Sequence, residues 1–266
     1  MTVPLHVDVS GVCDASTVVL VPGLSAHGGA WAAVAPVLGR EFRVAVVDNR
    51  DAGRSPRVTS PYTVEDMADD LAAAVADLVA PGERVGLLGQ SMGSSIAIAA
   101  AAHHPELVGA LVAVVPPVRV DQFLRRTLST YARLAEWLDR ADLAELALLA
   151  GMSRDTFERR PDMVDLAVKA MADDPLAQEP VAYARQIDAL LAMDLAPLLP
   201  LVAAPTRVLS GVADHLVSAD DSREIAAGIP NAELVCLHDA AHAVAADAPI
   251  AYLDLVVGHF RRHLAA

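Results

Sequence analysis

Three residues of this chain, Ser91, Asp214 and His242, combine side-chain types and positions suited to nucleophilic catalysis. Ser91 stands in Gly89-Gln90-Ser91-Met92-Gly93, directly after the apolar run RVGLLG and before the Ala-rich run SSIAIAAAAHH. A serine hydroxyl is a poor nucleophile until a base takes its proton, and that base needs an orienting acid. Taken alone, Gly-x-Ser-x-Gly also fits a plain turn. Its place between an apolar strand and a helix favours a presented nucleophile. A strand that bends sharply into a helix crowds the serine's neighbours and forces strained dihedrals, which small residues at −2 and +2 relieve. The bend leaves Oγ at a helix N-terminus, where free N–H groups and the helix dipole favour negative charge.

Asp214 lies in VADHLVS after the strand-like TRVLSG, and His242 lies in DAAHAVAADAP after AELVCLH. Each therefore sits at the C-terminal end of its own strand candidate, and the order Ser, Asp, His is the one strand–turn–helix nucleophiles use. Asp220, Asp221 and Asp239 compete with Asp214 for the acid. The first two read as helix-starting residues that satisfy free N–H groups, and Asp239 is too close to His242 in sequence. His103 and His104 end the helix after the serine, where cations suit the dipole. His215 reads as a loop residue.

The elements that must position these groups alternate regularly. Strand candidates fall at 16–23, 42–48, 84–89, 109–117, 206–211 and 232–238, and the N-terminal MTVPLHVDVSG alternates like another strand. Most are continuously apolar, as strands covered on both faces of a parallel sheet must be. Helical patterns lie at about 29–39, 64–79, 92–104, 219–228 and 247–264. This alternation predicts an α/β fold, a doubly wound and mostly parallel sheet. The pattern breaks between 119 and 200, where amphipathic helices run with no convincing strand. The expected organisation is a core of 1–118 and 201–266 with a helical cap, or lid, over 119–200. Such a lid would cover the sheet's C-terminal edge, where open α/β sheets bind ligands. Its large apolar residues (Phe123, Tyr131, Trp137, Leu149, Met152, Met163 and Met171) are expected mainly to pack between helices, some of them facing the pocket.

Length and composition narrow the function classes. The chain has 266 residues, 54% of them apolar, enough for a substantial core. Its formal charge of −14 repels phosphate backbones and anionic lipid, which argues against nucleic acid and membrane as partners. Cys13 and Cys236 are too few for a disulfide scaffold and lack metal-ligand spacing, and Cys236, inside AELVCLH, reads as a buried thiol. No His and carboxylate cluster has metal-ligand spacing. Neither a signal peptide nor a membrane-spanning run is evident. The expectation is a soluble cytoplasmic protein that acts on a small molecule without cofactor or metal.

The chain resembles the α/β-hydrolase-fold superfamily, specifically its esterase, lactonase and cofactor-free haloperoxidase-like group. The resemblance covers nearly the whole chain. VPGLSAHGGAW matches the family's loop after the third strand, VVDNRDAGRS its Asp-x-Arg-x-x-Gly-x-Ser turn, and LLGQSMGS its nucleophile elbow. LSGVADHLV and LHDAAHAVAADAP match its acid and histidine loops. The resemblance implies Ser91 as nucleophile, His242 as general base and then acid, and Asp214 as orienting acid. It also implies an oxyanion hole from the backbone N–H groups of Leu24 and Met92. Ser25 and His27, in the loop that would rim this hole, become candidate substrate contacts. Two departures stand out: Pro22-Gly23 replaces the family's frequent His-Gly, and Asp51 replaces the glycine of Asp-x-Arg-Gly. Asp48, Arg50, Gly53 and Ser55 remain, and are expected to stabilise their loop.

The expected activity is that of a serine hydrolase cleaving a small to medium apolar carboxylic ester, thioester or lactone through an acyl-enzyme. The alternative is a lyase on the same fold, such as one eliminating carboxylate from an acylated biosynthetic intermediate with His242 as acid and base. A lysine near the histidine, as in plant-type hydroxynitrile lyases, is missing here. A third class is a non-catalytic receptor that uses the lidded pocket.

Overall fold

Alternation of apolar runs with helical patterns folds into one layered unit. A computed structural model of the chain describes residues 2–264. Within them seven strands form a single sheet, in the spatial order β1-β3-β2-β4-β5-β6-β7. These are β1 (His6–Gly11), β2 (Thr17–Val21), β3 (Arg43–Asp48), β4 (Val85–Gln90), β5 (Val108–Val114), β6 (Thr206–Gly211) and β7 (Ala232–Leu237). β1 pairs antiparallel with β3, and every other pairing is parallel.

The helices of the first half are α1 (Ala35–Leu38), α2 (Val64–Leu78) and α3 (Met92–His103). Five more lie between β5 and β6: α4 (Gln122–Leu134), α5 (Arg140–Gly151), α6 (Arg154–Arg159), α7 (Pro161–Ala172) and α8 (Pro180–Leu191). After β6 come α9 (Ala219–Gly228), α10 (Val244–Asp247) and α11 (Pro249–His263).

Because successive residues of a strand face opposite ways, each central strand feeds two cores. Val19, Val21, Ala45, Val47, Leu87, Leu111 and Val208 pack with α2, α3 and Ile225 of α9. Val18, Leu20, Val44, Val46, Leu88, Val112 and Leu209 pack with Leu38 of α1 and with Tyr252, Val256 and Phe260 of α11. At about 25 cal/mol per Å² of apolar surface removed from water, these two layers are the main force holding the sheet.

Three expectations need correction. The helix expected over 29–39 is a 3₁₀ turn, Gly28–Trp31, followed by the short α1. The His27 side chain caps the 3₁₀ turn, and Pro36, which lacks an N–H, sits in the first turn of the new helix. The pattern over 247–264 begins earlier as α10 and restarts at Pro249 for the same reason. Cys236 is half-buried, because β7 is the edge of the sheet and its residues are only partly covered. Among the described residues no helix is long and apolar enough to cross a membrane.

The chain leaves β2 for β3 on one side of the sheet, then returns to β4 on the other. Strand order reverses there, at the C-terminal ends of β2 and β4, the place where open α/β sheets bind ligands. Pro22-Gly23-Leu24 follows β2 and Ser91 follows β4.

Candidate active site

Ser91 has φ 54° and ψ −122°, dihedrals that a non-glycine residue rarely adopts. Packing enforces them. A Cβ on Gly93 would collide with the Val21 carbonyl oxygen, and one on Gly89 would collide with the Gly93 carbonyl. Hydrogen bonds also hold the turn. Ser91 N–H donates to the Val114 carbonyl at 2.8 Å, and Ser94 Oγ donates to the Gly89 carbonyl at 2.7 Å. Ser91 itself is only half-buried, so its hydroxyl is reachable.

The acid and histidine meet. Asp214 Oδ2 lies 2.8 Å from His242 Nδ1, with their side chains 1% and 14% exposed respectively. Asp214 Oδ1 accepts the N–H groups of Leu216 (2.8 Å) and Val217 (3.0 Å), which fixes the carboxylate's rotation. An ionised carboxylate only accepts, so Nδ1 carries the proton and Nε2 is left with its lone pair outward. Ser91 Oγ and His242 Nε2 have no hydrogen-bond partner among the described residues. The serine turn and the histidine loop are joined instead through Gln90, whose Nε2 donates to the His242 carbonyl at 3.1 Å.

Beside Ser91, the Pro22-Gly23 turn is held in place from outside. Asn49 Nδ2 donates to the Pro22 carbonyl at 2.9 Å, and Ser25 N–H donates to Gln186 Oε1 of α8 at 3.1 Å. Gly23 is close enough that a Cβ there would lie 3.5 Å from Ser91 Cβ. Among the described residues, neither Leu24 N–H nor Met92 N–H donates to a protein acceptor. Two backbone donors thus flank the serine unspent.

Ser25 is exposed, and its side chain has no partner among the described residues. His27 has both ring nitrogens engaged. Nδ1 accepts Gly29 N–H at 3.1 Å, so Nε2 carries the proton, which it donates to Asp174 Oδ2 at 2.6 Å. Burial alone would raise the Asp174 pKa, but the His27 and Leu176 hydrogen bonds outweigh it and hold the carboxyl below its usual range.

The turn after β3 stabilises itself as expected. Asp48 accepts the N–H groups of Gly28 (2.6 Å) and Arg54 (2.8 Å), and Ser55 Oγ donates to the Asp48 carbonyl at 2.6 Å. Arg50 pairs with buried Asp70 at 2.6 Å. Asp51, where the resemblance leads one to expect glycine, keeps the left-handed φ of 68° that favours glycine. Its buried carboxylate accepts Tyr62 OH (3.0 Å), Val58 N–H (2.9 Å) and two nitrogens of Arg185 on α8 (2.9 and 3.0 Å). Here too burial pushes the pKa up, and the Arg185, Val58 and Tyr62 hydrogen bonds bring it below the usual carboxylate range.

The histidine loop is tied to the helical insertion. Asp247 Oδ2 accepts Ala241 N–H at 2.8 Å, both its oxygens accept Ser153 N–H at 3.1 Å, and Oδ1 accepts Thr156 Oγ1 at 2.5 Å. Ala243 N–H donates to the Gly151 carbonyl at 2.6 Å. Sequence reasoning missed Gln90, Asp247, Gln186 and Arg185. No local signal marks them, because their side chains act on partners 91 to 161 residues away, except for Asp247's bond to Ala241.

The insertion also corrects one expectation. Of the apolar residues expected to pack between its helices, Phe123, Trp137, Leu149 and Met171 are exposed, and Tyr131, Met152 and Met163 are half-buried. Its helices pack mainly through small residues and single leucines or valines, such as Leu124, Leu128, Ala144 and Val164.

Sheet order, strained serine turn and paired Asp214–His242 define an enzyme of the α/β-hydrolase fold. More narrowly, the chain belongs to the Hydrolase_4 family, serine aminopeptidase S33, whose model it matches over residues 14–249. It is 30% identical over 241 residues to "Putative carbamate hydrolase RutD" of Caulobacter sp. (strain K31), covering 90% of this chain and 88% of that one. Among solved structures it is similar to the enol-lactonase from Burkholderia xenovorans LB400, at TM-score 0.85 and 26% identity, over 96% of this chain and 95% of the other. It is also similar to a malate-bound thermophilic esterase from Thermogutta terrifontis, at TM-score 0.83 and 26% identity, over 98% and 94% of the two chains.

Proposed function

We propose that this hydrolase cleaves a small to medium carboxylic ester, thioester or lactone, apolar around the reacting carbonyl, with Ser91 as nucleophile. The observation that carries the reading is the 2.8 Å Asp214–His242 hydrogen bond beside a strained, reachable serine. The Asp214 carboxylate keeps the proton on Nδ1, so Nε2 is free to take the Ser91 proton as Oγ attacks the carbonyl carbon. Negative charge then develops on the carbonyl oxygen. The unspent N–H groups of Leu24 and Met92 stabilise it, each donor contributing about 3 kcal/mol to the transition state. His242 passes the proton to the leaving alcohol, thiol or ring oxygen, giving an acyl-enzyme. It then takes a proton from water as the water oxygen attacks the acyl carbon, the bond to Oγ breaks to release the acid, and His242 returns that proton to Ser91 Oγ.

Names of similar proteins fit this chemistry: a carbamate, an enol-lactone and an ester each present a carbonyl to a nucleophile. On this reading residues 119–200 act as a cap over a core of 1–118 and 201–266. Its ties to the histidine loop support that role.

The test is a chromogenic-ester and lactone panel with the protein and its Ser91→Ala variant. Turnover should fall by roughly 10⁴- to 10⁶-fold in the variant. Solvent labelled with heavy oxygen should place the label in the product acid. Undiminished turnover by the variant would overturn the nucleophile, and product without label would favour elimination.

A further inference from the structure

A groove of about 390 Å³ opens between α4, the end of α5 and the loop that carries Asp214. Phe123, Tyr131, Ala150 and Leu216 give it apolar walls, and Arg126 and His215 stand in it as well. Its position is set by the chain. His215 is bonded directly to Asp214. Ala150 precedes Gly151, whose carbonyl holds the N–H of Ala243, the residue after His242. The groove is therefore walled by the residue that follows Asp214 and by a residue of α5 that is tied, through Gly151 and Ala243, to the His242 loop.

Its charge runs against the rest of the molecule. The chain carries −14, yet the groove is lined by an arginine and a histidine and no acidic side chain. α4 itself bears Arg125, Arg126 and Arg133 and no carboxylate. Two of these are used, Arg125 on the Leu191 carbonyl and Arg133 on Thr130. The Arg126 side chain makes no hydrogen bond or ion pair among the described residues, and neither does that of His215. A guanidinium on an apolar ledge, with no carboxylate of its own, matches a carboxylate group in bidentate fashion.

We propose that this groove is a subsite for a carboxylate at the far end of the substrate, with Arg126 as its principal ligand and His215 beside it. The inference rests on the hydrolase reading for placing the groove at the substrate's entrance. It refines that reading to a substrate apolar near the reacting carbonyl and anionic at its tail.

Binding can be measured without turnover, in the Ser91→Ala protein, by calorimetry with monomethyl glutarate and its uncharged dimethyl ester. The expected result is at least 10-fold tighter binding of the monoanion at low salt, weakening as salt screens the pair. Arg126→Gln should remove the preference and Arg126→Glu should reverse it. Arg133→Gln, a charge change on the same helix, should leave it intact. Arg126 and Arg133 are both exposed, so folding is not at stake. Equal binding of the two esters, absence of binding by the monoanion, or a preference indifferent to Arg126 would overturn the subsite. Failure of the hydrolase reading shows separately, as absent turnover of p-nitrophenyl hemiglutarate and p-nitrophenyl pentanoate by the unaltered protein while the binding preference persists.

Discussion

Ser91 is held in dihedrals of order 1–3 kcal/mol above the relaxed backbone, and the surrounding contacts persist because they over-determine it. Its neighbour in function, His242, depends on Asp214 for a tautomer. Asp214→Asn keeps shape but offers an amide N–H where a proton acceptor is needed, so the ring is driven toward the Nε2–H form. The expected outcome is a fall in kcat of about 10⁴-fold with unchanged far-ultraviolet circular dichroism. A variant within tenfold of the parent would show that Asp214 does not set the tautomer. These residues were legible in the sequence because glycine spacing and strand–loop placement are local properties. Gln90 was not, although it is adjacent to Ser91. Its task, holding the His242 carbonyl, depends on two loops 152 residues apart coming together. His27 was legible as a loop residue near the site, but its bond to Asp174 needed the insertion's position.

At the scale of elements, the central strands were read within a residue or two because apolar runs ending in turn residues leave little choice, except that β5 ends at Val114, three residues before the apolar run does. The helical insertion was legible as helices and poorly legible as packing, since Trp137 and Phe123 look like core residues in sequence yet stand exposed at 84% and 59%. Leu124, Leu128, Ile187 and Leu190 carry α4 and α8 into the core beside the sheet, and long-range polar ties fasten the insertion further. Asp51 and Arg185 join the β3 turn to α8, and Asp247 joins the His242 loop to α6. Asp51→Ala leaves a largely buried guanidinium and the Tyr62 hydroxyl unmatched, and should cost roughly 3 kcal/mol of stability. Denaturant titration checks this, and a double-mutant cycle with Arg185→Met should recover much of the loss. On the proposed mechanism Asp247, which holds Ala241 N–H beside His242, is a positioning residue. Asp247→Asn turns an amide toward donors that need an acceptor, loosening Ala241 and with it the histidine. We expect kcat to fall about 10- to 100-fold while KM changes less than threefold, with Asp247→Glu restoring part of the rate. A change confined to thermal stability would mark Asp247 as structural alone.

For the whole molecule, the pH dependence of stability has an identifiable buried contributor. α11 turns Tyr252, Val256, His259 and Phe260 into the core, an i, i+4, i+7, i+8 face. His259 Nε2–H donates to the Pro205 carbonyl at 3.1 Å, and its buried Nδ1 has no partner. Burial pushes the His259 pKa down to about 4; the Pro205 bond opposes this, while nearby His263 and Arg207 add to it and Glu233 opposes it. An unfolded chain returns the imidazole to its ordinary value near 6.5. Between pH 6.5 and 4 the unfolded state therefore binds a proton that the folded state refuses. The contribution of neutral His259 is full above pH 6.5, is lost progressively as pH falls toward 4, and does not change further below that. At 1.36 kcal/mol per pKa unit, the loss is about 3 kcal/mol. Titrating carboxylates act over part of the same range, so a single pH curve does not isolate the histidine. The difference between the protein and its His259→Gln variant does, because every other group is shared. Glutamine keeps an N–H for the Pro205 carbonyl and has no proton to gain. The variant should lie below the parent in stability at pH 7.5, and the gap should close by about 3 kcal/mol as pH is lowered to 4, read from urea midpoints. Parallel curves across that interval would show that His259 titrates alike in both states, and would place the acid sensitivity of the fold in its carboxylates instead.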